Sequence, residues 1–405
     1  MSLPVEQIRK DFPALQQSIN GKPPIYFDNA CVTLRPQQVI DAMSRYYTTH
    51  PSCHKRAVHK FGKLTTDEYF KAKDMVRQFI NAKESTEIVF TKNATESINL
   101  VAHSFPFKNG DCVLTTDMEH NSNNLPWQTL AKRLGTQNRT FSLSPEFTFD
   151  MQRFKAAMEK GVKLVSVFHT SHVTGYTLPI EDIIACAHDH GALVLLDAAQ
   201  SVAHRTIDVQ KLDVDFLAFS FHKMLGPSAM GCLYAKKHLL EDMSPFLIGG
   251  ETVDDVDYNS FVLSKVPDRF EAGLQNYAGA CGVTAAIQYL NDIGAHNISQ
   301  HLMELNEFIS SAIRSLPKIK LIGPQDAKLR AGIINFTLGG MDSGELSILL
   351  DETYNIMTRS GVHCCHSWYK KYRLPSSLRT SLYLYNSKEE AGILLETLNK
   401  ITRYF

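Results

Sequence analysis

Leu193-Val194-Leu195-Leu196-Asp197-Ala198-Ala199-Gln200 and Phe216-Leu217-Ala218-Phe219-Ser220-Phe221-His222-Lys223 decide how this chain is read. Each begins as an apolar run too short for a helix and apolar at every position, then breaks into polar residues. Runs of that kind are strands of a parallel sheet covered by helices on both faces. A third, Val165-Ser166-Val167-Phe168, ends in His169-Thr170-Ser171-His172. Ligands of open parallel sheets sit at the carboxyl ends of the strands, so these polar terminators are where chemistry is sought.

The same pattern extends outward. Ile25–Phe27, Glu87–Thr91, Cys112–Thr115, Lys163–His169, Ala192–Leu196, Asp215–Phe219 and Gly231–Ala235 read as strands. Helical periodicity fills Thr66–Asn81, Thr95–His103, Asn123–Leu134, Asp150–Glu159 and Ile180–His190. Alternation of this sort builds an α/β fold from βα units. Gly249-Gly250 and the polar stretch Asp254–Ser260 read as the end of that region. Beyond it, helices at Ala278–Ile293, Ile298–Ser315, Ser343–Glu352 and Lys388–Arg403 are interspersed with strands at Lys318–Ile322, Gly332–Leu338, Ile356–Thr358 and Arg379–Leu384. This is a smaller α/β domain. The expected division is 15–265 for the large domain, with 1–14 and 266–405 forming the small one.

Composition narrows the function. At about 150 residues per domain, 405 residues suit two or three domains with ample core. The 42 basic residues equal the 42 acidic ones, which argues against gripping nucleic acid or an anionic membrane. No apolar run approaches a membrane span, and the first residues lack the apolar segment of a secretory signal. Eight cysteines without a CxxC pair do not form a disulfide framework, and a reducing cytoplasm is the expected compartment. No GxGxxG or GxxxxGK[ST] loop occurs.

The strand-end residues suggest a chemistry. A lysine at the mouth of a buried strand loses charge through desolvation and becomes able to form a Schiff base. A carboxylate on a neighbouring strand end holds a pyridine nitrogen protonated, and the helix opening at Asn93-Ala94-Thr95-Glu96-Ser97 offers N–H groups to a phosphate. Those are the needs of pyridoxal phosphate (PLP).

With these pieces assembled, the chain resembles the fold-type I, class V PLP-dependent transferases, most closely the group II (Suf-type) cysteine desulfurases and selenocysteine lyases. The resemblance runs nearly end to end, from Tyr26-Phe27-Asp28-Asn29-Ala30 through Thr95-Glu96-Ser97-Ile98-Asn99-Leu100, Met118-Glu119-His120, Arg269-Phe270-Glu271-Ala272-Gly273 and Arg359-Ser360-Gly361-Val362-His363-Cys364 to Tyr385-Asn386-Ser387. It implies a mostly parallel seven-stranded sheet in the large domain. It implies Lys223 as the Schiff-base lysine, Asp197 at the pyridinium nitrogen, Gln200 at the ring hydroxyl, and His120 stacked on the ring. Thr95, Ser220 and His222 would hold the phosphate. Arg379, with His172 and Asn29, would bind the substrate, and Cys364 would be the nucleophile that leaves as a persulfide.

The implied activity is removal of sulfur from L-cysteine to give L-alanine, in a homodimer that hands sulfur to an acceptor protein. Selenocysteine, or another C–S compound, is the alternative substrate. His363 is expected to favour the Cys364 thiolate if it carries charge. Some positions depart from the family: His172 stands where Asn is usual, Leu274-Gln275-Asn276 replaces threonines that reach the other subunit's phosphate, and Cys31 replaces a small residue. The loop after Cys364, Cys365-His366-Ser367-Trp368-Tyr369-Lys370-Lys371, is bulkier and more basic than usual. A reading from another class is a thiol/imidazole metal site on His363-Cys364-Cys365-His366, although contiguous ligands suit a tetrahedral site poorly.

Overall fold

A computed structural model describes residues 3–159 and 161–404. Seven strands form the main sheet: β1 (Ile88–Thr91), β2 (Cys112–Thr116), β3 (Gln137–Phe141), β4 (Leu164–Phe168), β5 (Leu193–Asp197), β6 (Phe216–Ser220) and β7 (Gly231–Ala235). Their spatial order is β1-β7-β6-β5-β4-β2-β3. Strands β2 to β6 run parallel, and β7 lies antiparallel to both of its neighbours. Every residue of β2, β4, β6 and β7 is buried, which is why those segments carry no polar alternation.

β3 escaped the sequence reading. It is an edge strand, Gln-Asn-Arg-Thr-Phe, of which only Phe141 is buried, so its only signal would have been a pattern of polar residues. The segment 253–263, read as a polar end to the domain, is an antiparallel hairpin of Val253–Val256 with Phe261–Leu263.

A second sheet has four antiparallel strands: β8 (Ile319–Ile322), β9 (Ile333–Leu338), β10 (Arg359–Gly361) and β11 (Ser377–Ser381), in the order β8-β9-β11-β10. Its register sets Arg379 directly opposite Arg359 on one side and Asn335 on the other. Like charges facing one another across strands are destabilising, so an anion is needed nearby. Asp28 provides one, brought in by a bridge between Asp28 and Ser381. Helix Tyr277–Ile293, assigned by sequence to the second domain, packs against helices Gln37–Thr49 and Lys60–Phe79 of the first. The first helix is tied to the last by Arg9, whose Nη1 meets the Tyr385 carbonyl and Glu390 Oε1, each at 2.8 Å. Among the described residues, no helix is long and apolar enough to cross a membrane.

Candidate active site

The carboxyl ends of β2, β4, β5 and β6 open onto one cavity of about 200 Å³. Its walls include Thr95, His120, His172, Asp197, Gln200, Ser220, His222 and Lys223 from the main sheet, and Arg359 and Arg379 from the second. Residues far apart in sequence converge here because parallel strands all present the same end.

Asp197 closes β5 and is buried. Its Oδ1 accepts the Ala199 N–H at 2.9 Å, and among the described residues it has no salt bridge. Burial raises its pKa, opposed by that hydrogen bond and by Lys223. Lys223 lies beyond β6, and its pKa is lowered by burial and by Arg379 while Asp197 works the other way. Burial without a salt bridge thus biases both groups towards their neutral forms.

His120 follows β2. Its Nδ1 accepts the Ser122 N–H at 3.0 Å, so a neutral ring carries its proton on Nε2. Burial, reinforced by Lys223, brings its pKa down to about 3. His172 packs edge-on against it, ring centres 4.8 Å apart, and burial keeps His172 neutral as well. His172 Nε2 is buried without a partner, whereas its carbonyl takes Arg379 Nη1 at 2.9 Å. The histidine expected in place of asparagine thus lines the cavity with an unused ring nitrogen.

One end of the cavity is formed by the start of helix Ala94–Ser104. Asn93 caps it by accepting the Glu96 N–H at 3.0 Å, and the Ala94 N–H donates to Ser220 Oγ at 2.8 Å. Thr95 Oγ1 lies 2.7 Å from Ser122 Oγ. This close seating depends on Gly231 at the start of β7, where a Cβ would fall 2.4 Å from Asn93 Cα. We expect Gly231→Ala to push the helix start away, lower stability by about 1–3 kcal/mol and reduce retained PLP. Urea unfolding together with the visible spectrum of the purified protein measures both effects. The donor set suits PLP on three counts: a helix N-terminus with two hydroxyls beside it, a buried carboxylate lacking a cation, and a desolvated lysine.

Three expectations are corrected by the geometry. Asn29 does not line this cavity. Its Nδ2 donates to the Ser381 carbonyl at 2.7 Å and to Asn386 Oδ1 at 3.1 Å, and its Oδ1 accepts from the Tyr385 hydroxyl, so its amide ties the N-terminal segment to the end of the second sheet and the turn after it. His363 cannot supply charge to the thiol. It is buried, its Nε2 lies 3.1 Å from Ser377 Oγ, and burial with Arg379 and Arg359 takes its pKa down to about 3. The cation beside Cys364 is instead Arg359, whose Nη2 donates to Sγ at 3.7 Å. That residue stood in the motif without a role, since nothing in sequence shows which side of a three-residue strand faces a site. The metal reading also fails. Cys365 Sγ turns to the Glu119 carbonyl at 3.4 Å and His366 to Asn121 at 3.1 Å, and among the described residues no cluster could hold a metal.

Cys364 is half-buried, whereas Cys365 is buried and its thiol pushed far up by desolvation. His363 and Cys364 both take left-handed backbone, φ 47° and 57°. Each costs about 1 kcal/mol without glycine, and surrounding contacts must hold them there. Arg379 donates through Nη2 to Asp28 Oδ1 at 3.3 Å. Gln200 Nε2 donates to the Ala30 carbonyl at 2.7 Å, and Cys31 lines the cavity beside it.

Comparison with known proteins bears on this arrangement. The model of the aminotransferase class-V family matches residues 25–394. This chain belongs to that family. It is 37% identical over 407 residues to the cysteine desulfurase of Shigella sonnei, covering 100% of this chain and 99% of the relative. The apo structure of the cysteine desulfurase from Thermococcus onnurineus NA1 superposes with a TM-score of 0.95 at 36% identity, covering 100% of this chain and 99% of that one. The cysteine desulfurase CsdA of Escherichia coli gives 0.92 at 30% identity, with full coverage of both chains. Within the class-V family, the chain therefore belongs with the cysteine desulfurases. The family implies PLP as cofactor.

Proposed function

We propose that this protein is a PLP-dependent cysteine desulfurase that converts L-cysteine to L-alanine and carries the sulfur as a persulfide on Cys364. The observation that carries this reading is one cavity lined by Lys223, Asp197, His120, Arg379 and Arg359, the last of which reaches past the wall to donate to the Cys364 thiol at 3.7 Å. Lys223 would anchor PLP, Asp197 would face its ring nitrogen, His120 its ring face and Gln200 its hydroxyl; Thr95, Ser220 and His222 would take the phosphate. When bound, PLP supplies a sink for the electron pair left at the substrate α-carbon.

The remaining work falls to side chains. Arg379 binds the substrate carboxylate through its planar fork, with His172 Nε2 as a second donor. Lys223 Nζ, its pKa lowered by burial, takes the α-proton and later returns a proton to carbon. The Cys364 thiolate, beside Arg359, attacks the substrate sulfur: an S–S bond forms, the C–S bond breaks, and the carbon fragment keeps the pair and is protonated to alanine. Neutral His120 sits where it can pass a proton without competing for charge.

We also infer a homodimer acting in the cytoplasm and delivering sulfur to a protein acceptor. The solvent-exposed Val58, Tyr258, Phe261, Val262 and Leu274 support the association. The test is to incubate the PLP-loaded protein with L-cysteine and map persulfide by peptide mass spectrometry. Persulfide on Cys364, and its loss with alanine formation in Cys364→Ser, is the expected result. Free sulfide with no persulfide at Cys364 would move the assignment to a C–S lyase.

A further inference from the structure

The bulky, basic segment after Cys364 is fastened to the same few residues that present His120. The Asn121 N–H donates to the Cys364 carbonyl at 2.8 Å, Asn121 Nδ2 meets His366 Nδ1 at 3.1 Å, and Cys365 Sγ reaches the Glu119 carbonyl at 3.4 Å. The far end is held by charge. Lys371 Nζ donates to Asp117 Oδ2 at 2.6 Å and to Ser142 Oγ at 2.5 Å, and the Tyr372 hydroxyl donates to the same Asp117 oxygen at 3.0 Å. Asp117 is buried just past the end of β2, and its other oxygen accepts the Leu143 N–H at 3.3 Å. Between the two anchors, helix His366–Lys371 lays Trp368 against Phe147.

A loop that keeps two non-glycine residues in left-handed backbone relaxes unless something prevents it. The hydrogen bonds at Asn121 and Glu119 are few, and those residues share one short stretch with Asp117. Lys371 is the only charged anchor the loop sends across to the main sheet among the described residues, and Asp117 lies only three positions before His120. This ion pair, with the Tyr372 hydroxyl on the same oxygen, thus fixes the far end of the second sheet's loop against the stretch that carries the first sheet's cavity residues.

We propose that Lys371 and Asp117 form a clamp that positions the Cys364 thiol for attack on sulfur, so that Lys371 is a positioning residue for the transfer step and not for cofactor or substrate binding. The proposal rests on Cys364 being the nucleophile. Because the clamp spans the two sheets, the loop stays seated through turnover, and the sulfur acceptor has to come to Cys364.

The test uses PLP-loaded full-length protein carrying Lys371→Met or Lys371→Arg, with Asp117→Asn as a second route to the same break. For Lys371→Met, alanine formation should fall about tenfold to a hundredfold in kcat, with KM for L-cysteine and the first absorbance change on cysteine binding unchanged. Alkylation of Cys364 by iodoacetamide should quicken and hydrogen exchange at residues 362–366 should rise. Lys371→Arg should restore all of these. A kcat that Lys371→Met leaves intact, or a loss that Lys371→Arg does not rescue, overturns the clamp. Alanine formation that survives in Cys364→Ser overturns the nucleophile assignment instead, whatever the clamp variants do.

Discussion

Replacing Lys223 with alanine should abolish alanine formation from L-cysteine, a fall of about 10⁴-fold or more. The size follows from two roles resting on one atom. Nζ would anchor the cofactor and would also carry the α-proton, and loss of a proton-transfer group alone commonly costs 10²–10⁴-fold. No strong base stands nearby: the histidines on the cavity wall, His120, His172, His222 and His363, all have their pKa lowered by burial, which leaves their rings weak bases. The variant should remain folded, because Lys223 has no salt bridge among the described residues. The visible spectrum before and after adding L-cysteine gives the check. A variant that still turns over cysteine at a hundredth of the parent rate would remove Lys223 from the centre of the mechanism.

The largest stability effect lies elsewhere. Lys73 Nζ and Glu271 Oε1 are 2.8 Å apart, with only 4% of either side chain exposed. Glu271 also takes the Tyr69 hydroxyl at 2.6 Å and the Phe90 N–H at 2.7 Å, which ties helix Lys60–Phe79 to β1. Removing one partner of such a pair strands a buried charge, and Lys73→Met should destabilise the protein by about 3–5 kcal/mol. The double variant Lys73→Met with Glu271→Leu should recover only part of this, since Phe90 N–H and the Tyr69 hydroxyl would lose their acceptor. Urea unfolding of both variants measures the difference. Equal midpoints for the parent and Lys73→Met would show that the pair contributes nothing net.

These two residues also show where sequence reasoning reaches. Lys223 and Asp197 were legible because a polar residue ending an apolar run has few explanations inside a buried strand. Glu271 was quoted within a motif without a role, because its partners lie 181 to 202 positions away and no local pattern joins them. β3 was invisible because an edge strand needs no apolar face. Asn29 and His363 were misread for a shared reason. Asn29 adjoins Ala30, which lines the cavity, and His363 adjoins Cys364, but the backbone turns between them and sends adjacent side chains to different partners. The left-handed residues at 363 and 364 make that turn, and only a structure reports them.

The contact between Arg379 and Asp28 bears on how a turnover ends. L-alanine carries the same carboxylate as L-cysteine, so a guanidinium that gripped the substrate with nothing to replace it would hold the product as firmly. Asp28, at 3.3 Å, offers an internal anion that takes the product's place as it departs. With Arg379 as the substrate's partner, binding would exchange one carboxylate for another, and neither arrival nor departure would leave the arginine unpaired in a dry cavity. Such an arrangement would trade tight grip for quick release, with weak inhibition by alanine as the expected result.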